Sequence, residues 1–191
     1  MVARNVILAA ILGLGILSPA MAQEEGFENL GSHLSEEELA GWSINVFIDG
    51  TGLPTGEGTV AQGQEVYQTR CVACHGINLE GGVGPALAGG VDSLTTDKPL
   101  KTIGSYWPYA TTLFDYIRRT MPFEAPQSLS NEEVYGVTAY LLHMNDILPE
   151  TATVNADNLA SIEMPNHGNF YVDDRPDVQA TRCMENCLSN E

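Results

Sequence analysis

The stretch that decides the fold is Cys71-Val72-Ala73-Cys74-His75. It follows a segment, residues 60–70, in which small and apolar side chains recur at helical spacing. Two thiols three positions apart at the end of a helix can reach the two vinyl groups on one edge of a porphyrin, and the next imidazole then lies under the iron. The motif therefore predicts one covalently attached haem c, with Cys71 and Cys74 as thioether donors and His75 as an axial iron ligand.

Two other chemistries use a Cys-X-X-Cys pair. A thiol–disulfide redox site needs a thioredoxin-like βαβ context, which the sequence does not predict, and a zinc site needs a second ligand pair at similar separation. The remaining cysteines, Cys183 and Cys187, lie in an irregular tail. They favour a small disulfide in an oxidising compartment, with a reactive or metal-binding pair as the alternative.

The net charge of the chain limits which classes of macromolecule it can bind. The 191 residues include 25 Asp and Glu against 8 Lys and Arg, a formal charge of −17. Such a surface repels the phosphate backbone, so nucleic acid is a poor partner.

Residues 1–22 have the features of a secretory signal. Arg4 is their only charge, Val6 to Leu17 is apolar, and Ala20-Met21-Ala22 supplies small residues for cleavage. A membrane-spanning helix needs roughly 20 apolar residues, more than this run offers. Cleavage after about Ala22 predicts an acidic protein in the periplasm, the kind of compartment in which haem is attached.

Three segments follow the signal. Residues 23–58 form an acidic, Gly-rich N-terminal arm, residues 59–148 a compact domain that contains the Cys-X-X-Cys-His motif, and residues 149–191 an irregular C-terminal strap. In the arm, Ser35 and Glu38 predict a capping box. Ile44 to Phe47 predicts a short strand, and Asp49 to Gly56 predicts a turn.

The compact domain is predicted to be mainly α, with three main helices around one haem. They cover about residues 60–70, 111–119 and a segment capped by Ser130 with Glu133. Gly63 and Tyr67 of the first and Gly136 and Tyr140 of the third allow these two helices to cross closely. The apolar residues expected around the haem are Leu87, Ile103, Tyr106, Trp107, Leu113, Ile117 and Leu141.

The sixth iron ligand is predicted to be Met121. It directly follows an apolar helix, and Pro122 holds it out of helical geometry. Met164, which also precedes a proline, is the second choice. The other candidates are Met144, Met184, His33, His143 and His167. An axial thioether favours ferrous iron and saturates the metal, which predicts outer-sphere transfer of single electrons.

Residues 63–148 resemble a class I cytochrome c domain. The resemblance is carried by Cys71 to Gly76, by Gly84-Pro85-Ala86-Leu87, and by Met121-Pro122 ahead of Leu129 to Glu133.

Three longer stretches resemble the cytochrome subunit of the Sox sulfane dehydrogenases of thiosulfate-oxidising bacteria. They are Asp49 to Pro54, Gly104 to Arg119, and the tail from Met164 to Cys187. The resemblance implies a partner subunit with a molybdenum cofactor, related to sulfite oxidase, that oxidises sulfane sulfur and passes electrons to this chain. Some members carry two haems, whereas this sequence has one attachment motif.

The electron acceptor is then expected to be a basic soluble cytochrome c. Two alternatives remain open: a free-standing electron shuttle, or the cytochrome subunit of another periplasmic dehydrogenase acting on sulfite, thiosulfate or alcohol. A haem sensor or catalytic cytochrome would require an open or displaceable sixth ligand.

Overall fold

The computed structural model describes residues 31–174, and its secondary structure in that range is mainly helical. The chain divides after Leu39 into two units, and the Cys-X-X-Cys-His motif lies in the second. The elements, in chain order, are α1 (Glu36–Trp42), β1 (Glu57–Thr59), α2 (Val60–Arg70), α3 (Val72–His75), α4 (Ala110–Thr120), α5 (Asn131–His143) and β2 (Thr153–Asn155). Short 3₁₀ turns cover Ser93–Thr95, Leu159–Ser161 and His167–Asn169.

Helix starts follow the predicted capping chemistry. Ser35 Oγ accepts from Glu38 N at 3.2 Å while the Glu38 carboxylate accepts from Ser35 N at 2.9 Å. The bonds that the carboxylate accepts from Ser35 N and from Ser35 Oγ lower the pKa of Glu38. Ser130 and Glu133 form the same reciprocal pair at the start of α5. Each box satisfies backbone donors that a helix start leaves without an intrahelical partner.

Helices α2 and α5 cross in direct backbone contact. A Cβ on Gly63 would overlap the backbone carbonyl of Gly136, so only glycine admits this approach. The rings of Tyr67 and Tyr140 meet one turn further along, with centroids 5.3 Å apart. The close crossing predicted from these four residues is therefore present.

Helix α4 buries one face against α5. Phe114 is fully buried, and its ring centroid lies 4.5 Å from that of Tyr135 on α5. The helix ends at Thr120, and Met121 takes an extended conformation with φ −116° and ψ 146°. Pro122 follows, as predicted, where helical geometry stops.

The strap shares the core of the helices. β1 pairs antiparallel with β2, with Gly58 opposite Val154. Val154, Leu159 and Met164 are buried with the apolar faces of α4 and α5. The strap therefore contributes to the same hydrophobic core.

The strand predicted over residues 44–47 is wrong. This part of the arm is irregular because its polar groups bond to α4. Val46 N donates to the Asp115 carboxylate at 3.0 Å, and Arg119 binds both that carboxylate and the side chain of Asn45. The predicted turn after it is present, closed by Thr51 N donating to Asp49 Oδ1 at 2.9 Å.

Within residues 31–174, the structure has no helix that combines the length and apolarity needed to cross a membrane. The predicted signal, residues 1–22, and the cysteines Cys183 and Cys187 lie outside the described residues.

Candidate haem site

An apolar cavity of about 420 Å³ opens beside the Cys-X-X-Cys-His motif. This volume falls in the range of small-molecule and cofactor sites. Its walls come from the end of α2, the motif itself, the loop over residues 83–87, the loop over residues 101–107, α4 and α5. The lining residues include Cys71, Cys74, His75, Leu87, Ile103, Trp107, Leu113, Ile117, Met121 and Leu141.

Both cysteines of the motif line this cavity as free thiols. The one-turn helix α3 brings them to one side of the chain, with His75 N donating to Cys71 O at 3.0 Å. Burial raises the pKa of the Cys71 thiol to about 11. Two free thiols beside an apolar cavity fit the chemistry of double thioether attachment.

His75 has a fixed ring orientation. Its Nδ1 lies 2.8 Å from the carbonyl oxygen of Pro85, so Nδ1 donates this bond in the neutral ring. Nε2 is then the nitrogen free to bind a metal. Gly84 leaves the necessary space, since a Cβ there would come within 2.9 Å of His75 Cε1.

Met121 lines the same cavity as His75. Its extended backbone at the end of α4 lets the thioether leave the helix axis, and Met121 N still donates to Ile117 O at 3.0 Å. The structure thus brings together all four residues predicted to hold the haem.

The other described candidates for the sixth ligand lie elsewhere. Met164 is 2% exposed in the core behind the strap, and Met144 caps the end of α5. His143 and His167 use Nδ1 for backbone carbonyls, at 3.0 and 3.2 Å. None of these, nor His33, lines the cavity. Met184 lies outside the described residues.

Of the seven apolar residues expected around the haem, Tyr106 is the exception. The other six line the cavity, whereas the Tyr106 ring packs against Phe170 of the strap, with centroids 5.7 Å apart. The next residue, Trp107, faces the cavity instead and meets Tyr116 edge-on. Successive residues in an irregular loop point in different directions, which composition alone does not reveal.

Two features of the site were not predicted. One is the Pro85 carbonyl that orients His75, for which the adjacent Gly84-Pro85 pair was the available signal. The other is a charged contribution to the lining from Arg70, Lys101 and Glu124. Isolated charges carry no sequence pattern that places them at a cavity.

The cytochrome c family model matches residues 60–145 of this chain. One chain of the crystal structure of the sulfane dehydrogenase SoxCD from Paracoccus pantotrophus is 41% identical, with a TM-score of 0.75. That match covers 83% of this chain and 81% of the other. The chain is a class I c-type cytochrome of the Sox type. The predicted fold class is confirmed.

Two further relatives are similar to this cytochrome over shorter stretches. The thiosulfate dehydrogenase of Allochromatium vinosum is 31% identical over 109 residues, which are 53% of this chain and 39% of that protein. Cytochrome c-551 of Bacillus subtilis is 54% identical over 37 residues, 19% of this chain and 32% of its own length. The cytochrome thus spans about one-third to two-fifths of the curated relatives that it matches.

The predicted cofactor is also confirmed, because c-type cytochromes carry covalently bound haem. The donor set fits this group: two free thiols, an imidazole whose Nδ1 is already bonded and a thioether share one apolar cavity. A haem iron with both axial positions occupied by protein ligands suits electron transfer.

Proposed function

We propose that this cytochrome is the electron-transfer subunit of a periplasmic, molybdenum-containing sulfane dehydrogenase. It receives single electrons from the molybdenum subunit during the oxidation of thiosulfate or sulfane sulfur, and it passes them to a basic soluble cytochrome c. The observation that carries this proposal is the 41% identity to a chain of a sulfane dehydrogenase, extending over the arm and strap as well as the haem domain.

Four side chains hold the cofactor in this proposal. Cys71 and Cys74 form the thioethers, and His75 and Met121 are the axial ligands. When bound, haem c alternates between ferric and ferrous iron and so handles one electron at a time. The Pro85 carbonyl fixes the His75 ring, and the end of α4 at Thr120 frees Met121 from the helix.

The mouth of the cavity provides a surface for electron exchange. Val83 and Phe123 line the cavity and are 94% and 83% exposed, and Tyr116, which also lines it, is half exposed. Large apolar side chains left in solvent are typical of contact sites for other proteins. A partner that covers them excludes water and brings its own redox centre close to the haem edge.

The test is reduction by the partner. Purified holo-cytochrome is mixed with the molybdenum subunit and a sulfane substrate, and the visible bands of reduced haem are followed. We expect reduction only when both are present, and copurification of the two subunits. The control omits the substrate. An oxidised spectrum in the complete mixture would contradict the proposal.

The similarity to thiosulfate dehydrogenase supports a second candidate, the haem domain of an enzyme that acts on thiosulfate. This candidate predicts that thiosulfate reduces the haem without any molybdenum protein. A free-standing shuttle instead predicts that the cytochrome elutes alone and accepts electrons from unrelated donors.

A further inference from the structure

The haem cavity carries more positive charge than the rest of the chain would suggest. The chain has a formal charge of −17, yet its cavity is lined by Arg70 and Lys101 with Glu124 as the one acidic residue. All three side chains are exposed to solvent, so their charges lie where the cavity opens to the surface. Haem bears two carboxylates, and a cation at the opening of its cavity is a partner for one of them.

Arg70 lies beside the porphyrin edge that carries the vinyl groups, so it does not meet the haem carboxylates. It directly precedes Cys71, where a thioether is formed, and the two carboxylates lie on the porphyrin edge opposite the vinyl groups. Its guanidinium is also engaged, because Nη2 donates to Ser128 Oγ at 2.9 Å. Lys101 is therefore the lining cation that remains for a carboxylate.

The ammonium group of the exposed residue Lys101 contacts an aromatic ring. Its Nζ lies 4.7 Å from the centroid of the Tyr106 ring, within the range of a cation–π interaction. The next residue, Thr102, is buried, and its Oγ1 donates to Gly89 O at 2.6 Å, which anchors the loop backbone. A lysine fixed at both its head and its backbone loses less entropy when it meets an anion.

Tyr106 is in turn supported by the strap. Asn166 Nδ2 donates to Tyr106 O at 2.7 Å, and the Phe170 ring packs edge-on against the Tyr106 ring. This contact explains why Tyr106 is not among the residues that line the haem cavity. A continuous line of contacts thus runs from the strap through Tyr106 to Lys101.

We propose that Lys101, positioned by Tyr106 and the strap, is the counter-charge for a haem carboxylate and raises the reduction potential of this cytochrome. The proposal rests on the haem ligands proposed above. A fixed positive charge near the iron disfavours the ferric state, which carries one more positive charge than the ferrous state. Lys101 is thus a positioning and tuning residue and not an iron ligand.

The test measures the midpoint potential of the isolated holo-cytochrome at pH 8, where carboxylates are ionised. Lys101→Met should lower the potential by a roughly three- to tenfold change in the ferric–ferrous equilibrium, tenfold being about 59 mV for one electron. Lys101→Gln should lower it similarly, and Lys101→Arg should keep the wild-type potential. Lys98→Met is the matched control, because it removes the same charge from the same loop at a residue outside the cavity lining.

The aromatic support is tested with a second pair of variants. Tyr106→Leu removes the ring beneath Lys101 and should lower the potential by less than Lys101→Met does. Tyr106→Phe retains the ring and should leave the potential unchanged. Haem absorption and far-ultraviolet circular dichroism verify that each variant is folded and loaded.

Equal potentials for Lys101→Met and Lys98→Met would overturn the proposal, as would a shift caused only by Arg70→Gln. Neither result depends on the molybdenum subunit, since the potential is measured on the cytochrome alone. Failure of the partner to reduce the haem would instead contradict the proposed function and leave the potentials as measured.

Discussion

The side chains of the two predicted axial ligands are positioned by different local features of the structure. His75 is oriented by a side-chain hydrogen bond to the Pro85 carbonyl, whereas Met121 is released by the end of a helix. The first arrangement fixes a ring, and the second places a flexible thioether at the cavity wall. Their different chemistry leads to separate predictions at the scale of single residues.

Met121→Ala should open the sixth iron position. We expect the reduced variant to bind carbon monoxide at neutral pH, whereas the wild-type protein does not. The measurement is the shift of the main visible haem band when the gas is added. Binding of carbon monoxide by the wild-type protein would contradict the assignment of Met121.

Met164→Ala is the matched control for that experiment. Met164 is buried in the core behind the strap, so its truncation should cost about 2–5 kcal/mol of unfolding free energy. It should not create carbon monoxide binding. The two methionines therefore separate a ligand role from a packing role.

A third residue, Tyr135, should respond to alkaline pH. Burial raises its pKa to about 12, and its hydroxyl donates to Pro54 O at 2.7 Å. The unfolded state has the lower pKa, near 10, so the stabilising contribution of neutral Tyr135 is complete below pH 10 and is lost as pH rises toward 12.

Tyr135→Phe should lower the unfolding free energy by about 1 kcal/mol at pH 8, because the Pro54 carbonyl loses its donor. Between pH 10 and 12 the unfolding free energy of the wild type should fall relative to that of the variant, so that the wild-type advantage shrinks and then disappears. Denaturant titrations at both ends of this range provide the comparison. A wild-type advantage in unfolding free energy that grows with pH would contradict the raised pKa of Tyr135.

At the scale of elements, the crossing of α2 and α5 depends on backbone contact. Gly63→Ala should destabilise the protein by about 1–3 kcal/mol, since the new methyl group overlaps the Gly136 carbonyl. This loss runs against helix propensity, which favours alanine over glycine by up to about 1 kcal/mol.

Gly41→Ala in α1 is the control for the crossing, because a Cβ there meets no atom within 4 Å. That substitution should be neutral or slightly stabilising. Thermal unfolding of the two variants gives the comparison. Equal unfolding temperatures for Gly63→Ala and wild type would mean that the helices separate at little cost.

Elements with local signals were predicted well, and elements with distant partners were not. Helix α2 has the predicted bounds, and the capping boxes at Ser35 and Ser130 form from residues three positions apart. The conformation of the arm over residues 44–47 depends on Asp115, which lies 69 positions from Val46. The Asp115 carboxylate accepts the backbone hydrogen bond that a neighbouring strand would otherwise accept. β1 and β2 have three residues each, too few to produce an alternating pattern.

At the site, the Cys71–His75 motif predicted the two thioether donors and the first axial ligand, because thioether attachment demands a fixed spacing, whereas Met121 was predicted from the helix end and Pro122. It could not place Lys101, since the contact of Lys101 with Tyr106 depends on how the loop over residues 101–107 turns. Nor could it separate Tyr106 from Trp107, which are adjacent aromatic residues with different surroundings. Side-chain direction in irregular loops is set by tertiary packing.

At the scale of the whole molecule, the formal charge of −17 should influence association. Attraction to a basic acceptor cytochrome is screened by salt, so the bimolecular rate of electron transfer should fall as ionic strength rises. Stopped-flow oxidation over a salt series measures this rate. An uncharged small oxidant is the control and should react at a rate independent of salt; a flat response with the basic cytochrome would contradict the prediction.

The pairing of Glu57 with Asn155 brings together the two ends of the segment that carries helices α2 to α5. A fold with adjacent entry and exit can be spliced into a surface loop of a host protein without stretching either connection. It also tolerates circular permutation when new ends are cut in an exposed loop. A graft of this segment into an engineered electron-transfer protein would also have to keep the strap as far as Met164, because Leu159 and Met164 are buried in the same core.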